Sequence, residues 1–205
     1  MMNGPTNVYD VRVMGGVFST ATLASGAGGA IAAGVNTTAF VDNLNVATTS
    51  GIVQTRAFSN QFGGLVANGE QLTLFGLQIA VLSYVTATGV SLPLPVIDCQ
   101  EMITKTSISL NAKGTEFNIG PPALYVSGGK GAYSPGSVHA ANGAPDAPTF
   151  RLPASMPLQL ESQDQFSLRI IVETAMGALT VGTNYNFLCY FPASRAYTFR
   201  SLGAA

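Results

Sequence analysis

The stretch "MPLQLESQDQFSLRIIVE", Met156 to Glu173, carries its apolar residues in twos. Leu158 and Leu160 share one face, Glu161 to Gln165 form a polar break, and Phe166, Leu168, Ile170 and Val172 share a face again. A period of two belongs to an extended strand with one buried side, so the spacing predicts two strands and a turn, paired as a hairpin. On the second strand Ser167, Arg169 and Glu173 point the other way with Ile171 among them. That strand therefore reads as half-buried and antiparallel in character.

Similar segments recur along the chain. Candidate strands are Asn7 to Val13, Asn36 to Val41, Gly51 to Phe58, Gln71 to Val85, Thr104 to Leu110 and Pro122 to Gly128. Pro148 to Pro153, Asn184 to Phe191 and Arg195 to Leu202 follow, the last two separated by an expected turn. They are short, rich in Thr, Val, Ile, Phe and Tyr, and bounded by Gly, Pro and Asn, which predicts an all-β sandwich or barrel of antiparallel strands. The alternation of strand with helix that builds a parallel sheet is missing. One short helix is expected around Asp98 to Ile103.

A chain of 205 residues fits a single domain, 1–205, with a core of its own. Two segments differ from the rest. Residues 21–35 are almost entirely Ala, Gly and Ser and are expected to be loose, or ordered only against a neighbour. Residues 128–148, "GGKGAYSPGSVHAANGAPDAP", form a long Gly/Pro-rich loop expected to project from one end of the sandwich.

Charge is the unusual quantity. Asp, Glu, Lys and Arg make up 9% of the chain, where a soluble domain has about 25%. The surface must be built from Thr, Ser, Asn, Gln, Gly and Ala, and so neutral a surface favours self-contact. It reads as a surface covered by partners in a homo-oligomer. The nine basic residues are scattered without a run or stripe, which argues against direct nucleic-acid binding and against a polybasic membrane patch. The amino terminus shows no basic region followed by an apolar one, so the expectation is a protein made in a cytoplasm.

The residues that catalysis would need are sparse. His139 is the single histidine and sits in the Gly/Pro-rich loop, which predicts an exposed side chain and no metal site. "SGGKGAY" around Lys130 misses the phosphate-loop pattern, because Gly131 stands where Ser or Thr should hold magnesium. "GAGGAIAAG" from Gly26 misses the dinucleotide pattern at Ile31. The carboxylate pairs Asp98 with Glu101 and Glu161 with Asp164 have simpler roles, at a helix start and in a turn. Asp42 to Asn45 reads as a turn rather than a calcium loop, and Asn36 opens a glycosylation sequon without a secretion signal. Cys99 and Cys189 read as buried free thiols, with pairing left open. The expectation is therefore no enzyme, no catalytic, cofactor or metal residues, and no cofactor.

The β-rich chain, its low-charge surface, its long end loops and the late unit "ESQDQ" feeding "FSLRIIVE" together resemble the jelly-roll coat proteins of icosahedral viruses. "TNYNFLCYFPASRAYTFRSLGA" is similar to their closing strand, turn and carboxy-terminal strand. The resemblance implies a jelly-roll sandwich acting as a capsid subunit in the virion, partnered by itself and other virion proteins as trimers, pentamers or larger arrays. Only Arg12 lies in residues 1–13, where such proteins often carry a basic arm. That departure suggests a shell kept from its genome by a membrane or another layer, as in tailless bacteriophages with an internal membrane. The competing expectation is a decoration, fibre or carbohydrate-binding sandwich that recognises a ligand through loop 128–148. Phe166, Leu168, Ile170 and Val172 are expected in the core, with Arg169 and Glu173 outward.

Overall fold

The computed structural model describes residues 8–26, 28–42, 56, 59–61, 63–86, 91–92, 96–122, 150–151, 157–177, 179 and 183–200. In chain order the elements are β1 (Val8–Ala24), β2 (Asn36–Ala39), β3 (Glu70–Leu74), β4 (Gly76–Thr86), β5 (Ser91–Leu92), α1 (Val96–Thr104) and β6 (Thr106–Ala112). They continue with β7 (Thr115–Gly120), β8 (Phe150–Arg151), β9 (Leu158–Leu160), β10 (Phe166–Val172) and β11 (Thr183–Arg200). The chain is mostly strand and forms two antiparallel sheets, an all-β sandwich.

In the four-stranded sheet the order is β2-β10-β6-β7. In the seven-stranded sheet β11 is central, with β1 paired along one edge and β4 and β3 in succession along the other. Beyond them lie β5 and β8 against β4, and β9 against β3. Strand β10 follows its sequence period, with Phe166, Leu168, Ile170 and Val172 all buried. Leu168 stands opposite Leu110 and Ile170 opposite Ile108 on β6, so the two strands present one apolar face. That face meets Tyr185, Phe187, Cys189 and Phe191 of β11, and Val17, Ala21 and Leu23 of β1, in a single core.

Four expectations need correction. Met156 to Glu173 holds two strands and a turn, but they are not a hairpin: β9 pairs with β3 and β10 with β2 and β6, in the other sheet. Residues 161–165 thus carry the chain across the sandwich. Asp164 Oδ2 accepts the Glu161 backbone N–H at 2.7 Å, which closes the arch tightly.

The second correction concerns residues 184–202, expected as two strands about a turn. Residues 183–200 run as one strand through Pro192, which lacks the N–H a central strand normally donates. The neighbour makes room. The register sum along β11 moves from Leu74 with Ala193 to Gln78 with Tyr190, so one extra residue bulges at Phe75 opposite the proline. Phe75 N–H donates to the Pro192 carbonyl at 2.8 Å.

The same bulge splits Gln71 to Val85, expected as one strand, into β3 and β4. Its signature is a phase change, since Leu72 and Leu74 face the core and then Leu77 and Ile79 do. Finally, residues 21–35 are not loose: Ala21 and Leu23 alternate inward on β1, and Ile31 pairs with Met176 through reciprocal backbone hydrogen bonds of 2.9 Å.

Two positions show strain or close approach. Phe40 holds a left-handed φ of 74°, costly for a bulky residue, while its N–H donates to Ser19 Oγ at 3.0 Å and its carbonyl accepts Gly64 N–H at 2.8 Å. At Gly16 the Tyr190 ring lies across the strand, so a Cβ there would fall 1.9 Å from the ring. The glycine lets an aromatic cover bare backbone.

The expected strand at 51–58, apart from Arg56, and the one at 122–128, apart from Pro122, lie outside the described residues, as does loop 128–148.

Candidate functional site

The outer faces of the two sheets differ in charge. On the four-stranded sheet, β6 runs down the middle with Ser107, Ser109 and Asn111 facing outward. Arg169 of β10 reaches across β6 to Glu116 of β7, and Ser107 Oγ donates to Glu173. The expected outward placement of Arg169 and Glu173 is thus observed, with both engaged inside the chain. The Arg169 guanidinium hydrogen bond, and then that of Ser109, hold the Glu116 carboxyl below its ordinary range. A depressed carboxylate contributes stability that is present above the unfolded-state pKa and is lost as pH falls through the folded one. Glu116→Gln should therefore lower the neutral plateau slightly, leave the most acidic points unchanged and so flatten the fall in stability below the ordinary glutamate range, as urea titrations at stepped pH would show.

On the outer face of the seven-stranded sheet, a shallow cup of about 260 Å³ opens over β3, β9 and β11. Gln71, Thr73, Gln159 and Ser194 line it, with Ala196 beside them and Glu161 at the rim. Two amides and two hydroxyls offer neutral hydrogen bonding to a polar surface or a hydroxylated ligand.

Several charges are paired within the chain. Among the described residues, ion pairs join Glu101 to Lys105 at 2.5 Å, Lys113 to Asp164 at 3.5 Å, Arg169 to Glu116, and Arg195 to Glu70 at 3.2 Å. The last is the buried one. Glu70 is 2% exposed, and its Oε1 has no aligned hydrogen bond although the guanidinium lies beside it. Neither residue was a candidate from sequence, yet a signal existed: alternation places Glu70 on the face of Leu72 and Leu74, and Arg195 on that of Phe191 and Ala193. A charge on an apolar face asks for a partner.

The carboxylate pairs take structural roles. Asp98, in the first turn of α1, accepts the Tyr185 hydroxyl at 2.7 Å in the core, while Glu101 holds Lys105 one turn on. Cys189 is a free thiol whose pKa is driven up by desolvation, which leaves it unreactive. Asn36 is exposed, its amide donating to the Gly34 carbonyl at 3.4 Å. Among the described residues no three His, Cys, Asp or Glu side chains gather into a metal-binding group. His139, Lys130, residues 43–45 and the Cys99 side chain lie outside them.

The long edge of β1 is the remaining feature. From Gly16 to Thr22 it is closed by side chains acting as a substitute strand. The Asn60 amide accepts Phe18 N–H at 2.7 Å and donates to Gly16 O at 2.8 Å, and Thr37 Oγ1 accepts Thr22 N–H at 3.2 Å. Asn60 N–H donates to Phe18 O at 2.9 Å. No helix among the described residues is long and apolar enough to cross a membrane. Compared with known proteins, the chain matches no family model, no curated protein and no solved structure.

Proposed function

We propose that this chain is a jelly-roll coat subunit that assembles into a virion shell. The observation that carries the reading is which strands pair. A jelly roll is a long antiparallel ribbon of eight strands, paired first with eighth, second with seventh, third with sixth and fourth with fifth, then rolled into a sandwich. Taking β3 with β4 as one bulged strand and β8 with β9 as one strand, and setting aside the two-residue β5, eight strands remain among the described residues. Their pairs are β1 with β11, β2 with β10, β3 with β9 and β4 with β8, and β6 with β7. These pairings support the jelly-roll reading.

Jelly rolls also serve as lectins and cupins. What favours a coat subunit is the economy of charge. The chain has nine basic and ten acidic residues, and the ion pairs above neutralise eight of those nineteen internally. The remaining surface can be buried against neighbours with little charge desolvation, as interface cores require. Phe40, Phe166, Tyr185, Phe187 and Phe191 pack in the interior between the described strands of the two sheets. Partners are other copies and other virion proteins, with the shell held off the genome by a membrane or another layer.

Light scattering over a hundredfold concentration range, with negative-stain images of the largest fraction, tests the reading. The expected result is trimers, pentamers or shell-like arrays that survive salt up to about 1 M, because screening weakens charge contacts and spares apolar ones. A monomer at every concentration, or dissociation by salt, overturns it.

A further inference from the structure

We infer that two copies of the chain pair through the β1 edge at Val8 to Met14, antiparallel about a two-fold axis at Val11, so that their seven-stranded sheets become continuous. The interface rests on the self-assembling reading above and names one contact within it.

The polarity of the edge is fixed. β1 pairs with β11 along Val8 to Ala24, and side chains of residues 37 and 60 close the opposite edge only from Gly16 onward. Among the described residues nothing is bonded to that edge at Val8 to Met14. The outward-bonding groups are Gly16 O, Phe18 N and O, and Thr22 N, all on even-numbered residues. Strand alternation then makes Val8, Asp10, Arg12 and Met14 the residues with outward N–H and C=O groups. An unpaired edge of this length is a template for another strand.

The sequence selects both occupant and register. Antiparallel pairing joins outward-bonding residues to outward-bonding residues, so only registers with an even position sum are allowed. With the axis at Asp10 each Asp10 would face Asp10 of the partner subunit, and with the axis at Arg12 each Arg12 would face Arg12 of the partner subunit. Both are like-charge oppositions, which destabilise a sheet. With the axis at Val11, Asp10 stands opposite Arg12 of the partner subunit, and the reverse holds by symmetry. Val8 falls opposite Met14 of the partner subunit, and the ladder stops where Asn60 begins to occupy the edge. Four hydrogen-bonded positions exchanging two bonds each give on the order of eight backbone hydrogen bonds. A two-fold pairing of this kind is isologous and closes on itself.

Single-cysteine trapping tests it in a Cys99→Ser background, where the native thiol left is the buried Cys189. Val11 meets its own copy at a non-hydrogen-bonded position about 4.5 Å away between Cα atoms. That separation lies within the range of about 4.4 to 6.8 Å that a disulfide spans. Val11→Cys should give a disulfide-linked dimer under mild oxidation, at least about tenfold more than Tyr9→Cys or Val13→Cys, which lie out of reach of their own copies. Asp10→Arg in the Val11→Cys chain should suppress the link, and adding Arg12→Asp should restore it. Circular dichroism reports whether each variant folds.

Equal linking at the three positions, or no link at Val11→Cys under conditions where the unmodified chain assembles, overturns the pairing and leaves the coat reading standing. A Val11→Cys link in a chain whose mass never exceeds a dimer keeps the pairing and removes the shell.

Discussion

Phe166→Ala is expected to destabilise the fold by about 4 kcal/mol, because a fully buried phenylalanine truncated to alanine costs about 3 to 5. Phe166 is 1% exposed and stands where the sheets meet. Its ring centroid lies 4.8 Å from that of Phe40 and 5.3 Å from that of Phe191, and those two lie 5.8 Å apart. One ring comes from β10, one from β11 and one from the residue after β2, so the cluster joins both sheets. Each tilted or edge-on aromatic pair adds about 0.5 to 1.5 kcal/mol beyond burial. The site collapses poorly, since Phe40 is fixed through its backbone by Ser19 and Gly64 and cannot follow the void. Urea unfolding should show a lower midpoint with an unchanged slope. A loss below about 1 kcal/mol would mean the ring is not the shared wedge.

The alternation that identifies Phe166 as core was legible because burial on one side imposes a period of two along the chain itself. What the strand pairs with is not local. Residues 161–165 form a polar break that suits a hairpin turn and a crossing between sheets equally well, and only the partners of β9 and β10 decide. Pro192 misleads for a related reason: its missing donor is a defect within its own strand, and the compensating bulge at Phe75 lies far away in sequence. The phase change from Leu72 and Leu74 to Leu77 and Ile79 was nevertheless there to be read. Residues 21–35 look loose by composition, yet Ala21 and Leu23 keep the β1 alternation. The outward placement of Arg169 and Glu173 was legible. Their partners Glu116 and Ser107 were not, because β7 and β6 are brought beside β10 by topology alone. The β1 edge was invisible for the same reason, although the Asp10 and Arg12 spacing that gives it a register is plain in the sequence.

Arg195→Ala is expected to cost about 3 kcal/mol, the lower end of what removing one member of a buried ion pair does. The lower end applies because the Arg195 side chain keeps 16% of its surface exposed, so its charge is not fully desolvated in the native state. The cost comes from what is left behind. Glu70 would remain almost wholly buried, with the guanidinium 3.2 Å away removed and Oε1 still without a hydrogen bond. The change also deletes the 3.4 Å hydrogen bond from Arg195 to the Asn60 carbonyl, and Asn60 is the residue that closes the β1 edge at Gly16 and Phe18. Hydrogen exchange should therefore accelerate at the Phe18 amide beyond the global loss of stability. Replacing both partners, Glu70→Leu with Arg195→Met, removes the stranded carboxylate and should recover most of the global deficit, since apolar substitutes for a buried pair are often neutral. It does not restore the bond to Asn60. Phe18 should therefore stay less protected in the double variant than in the parent while the denaturation midpoint returns. If the midpoint and the Phe18 amide recover together, the ion pair supports the core alone and has no part in holding the edge closed.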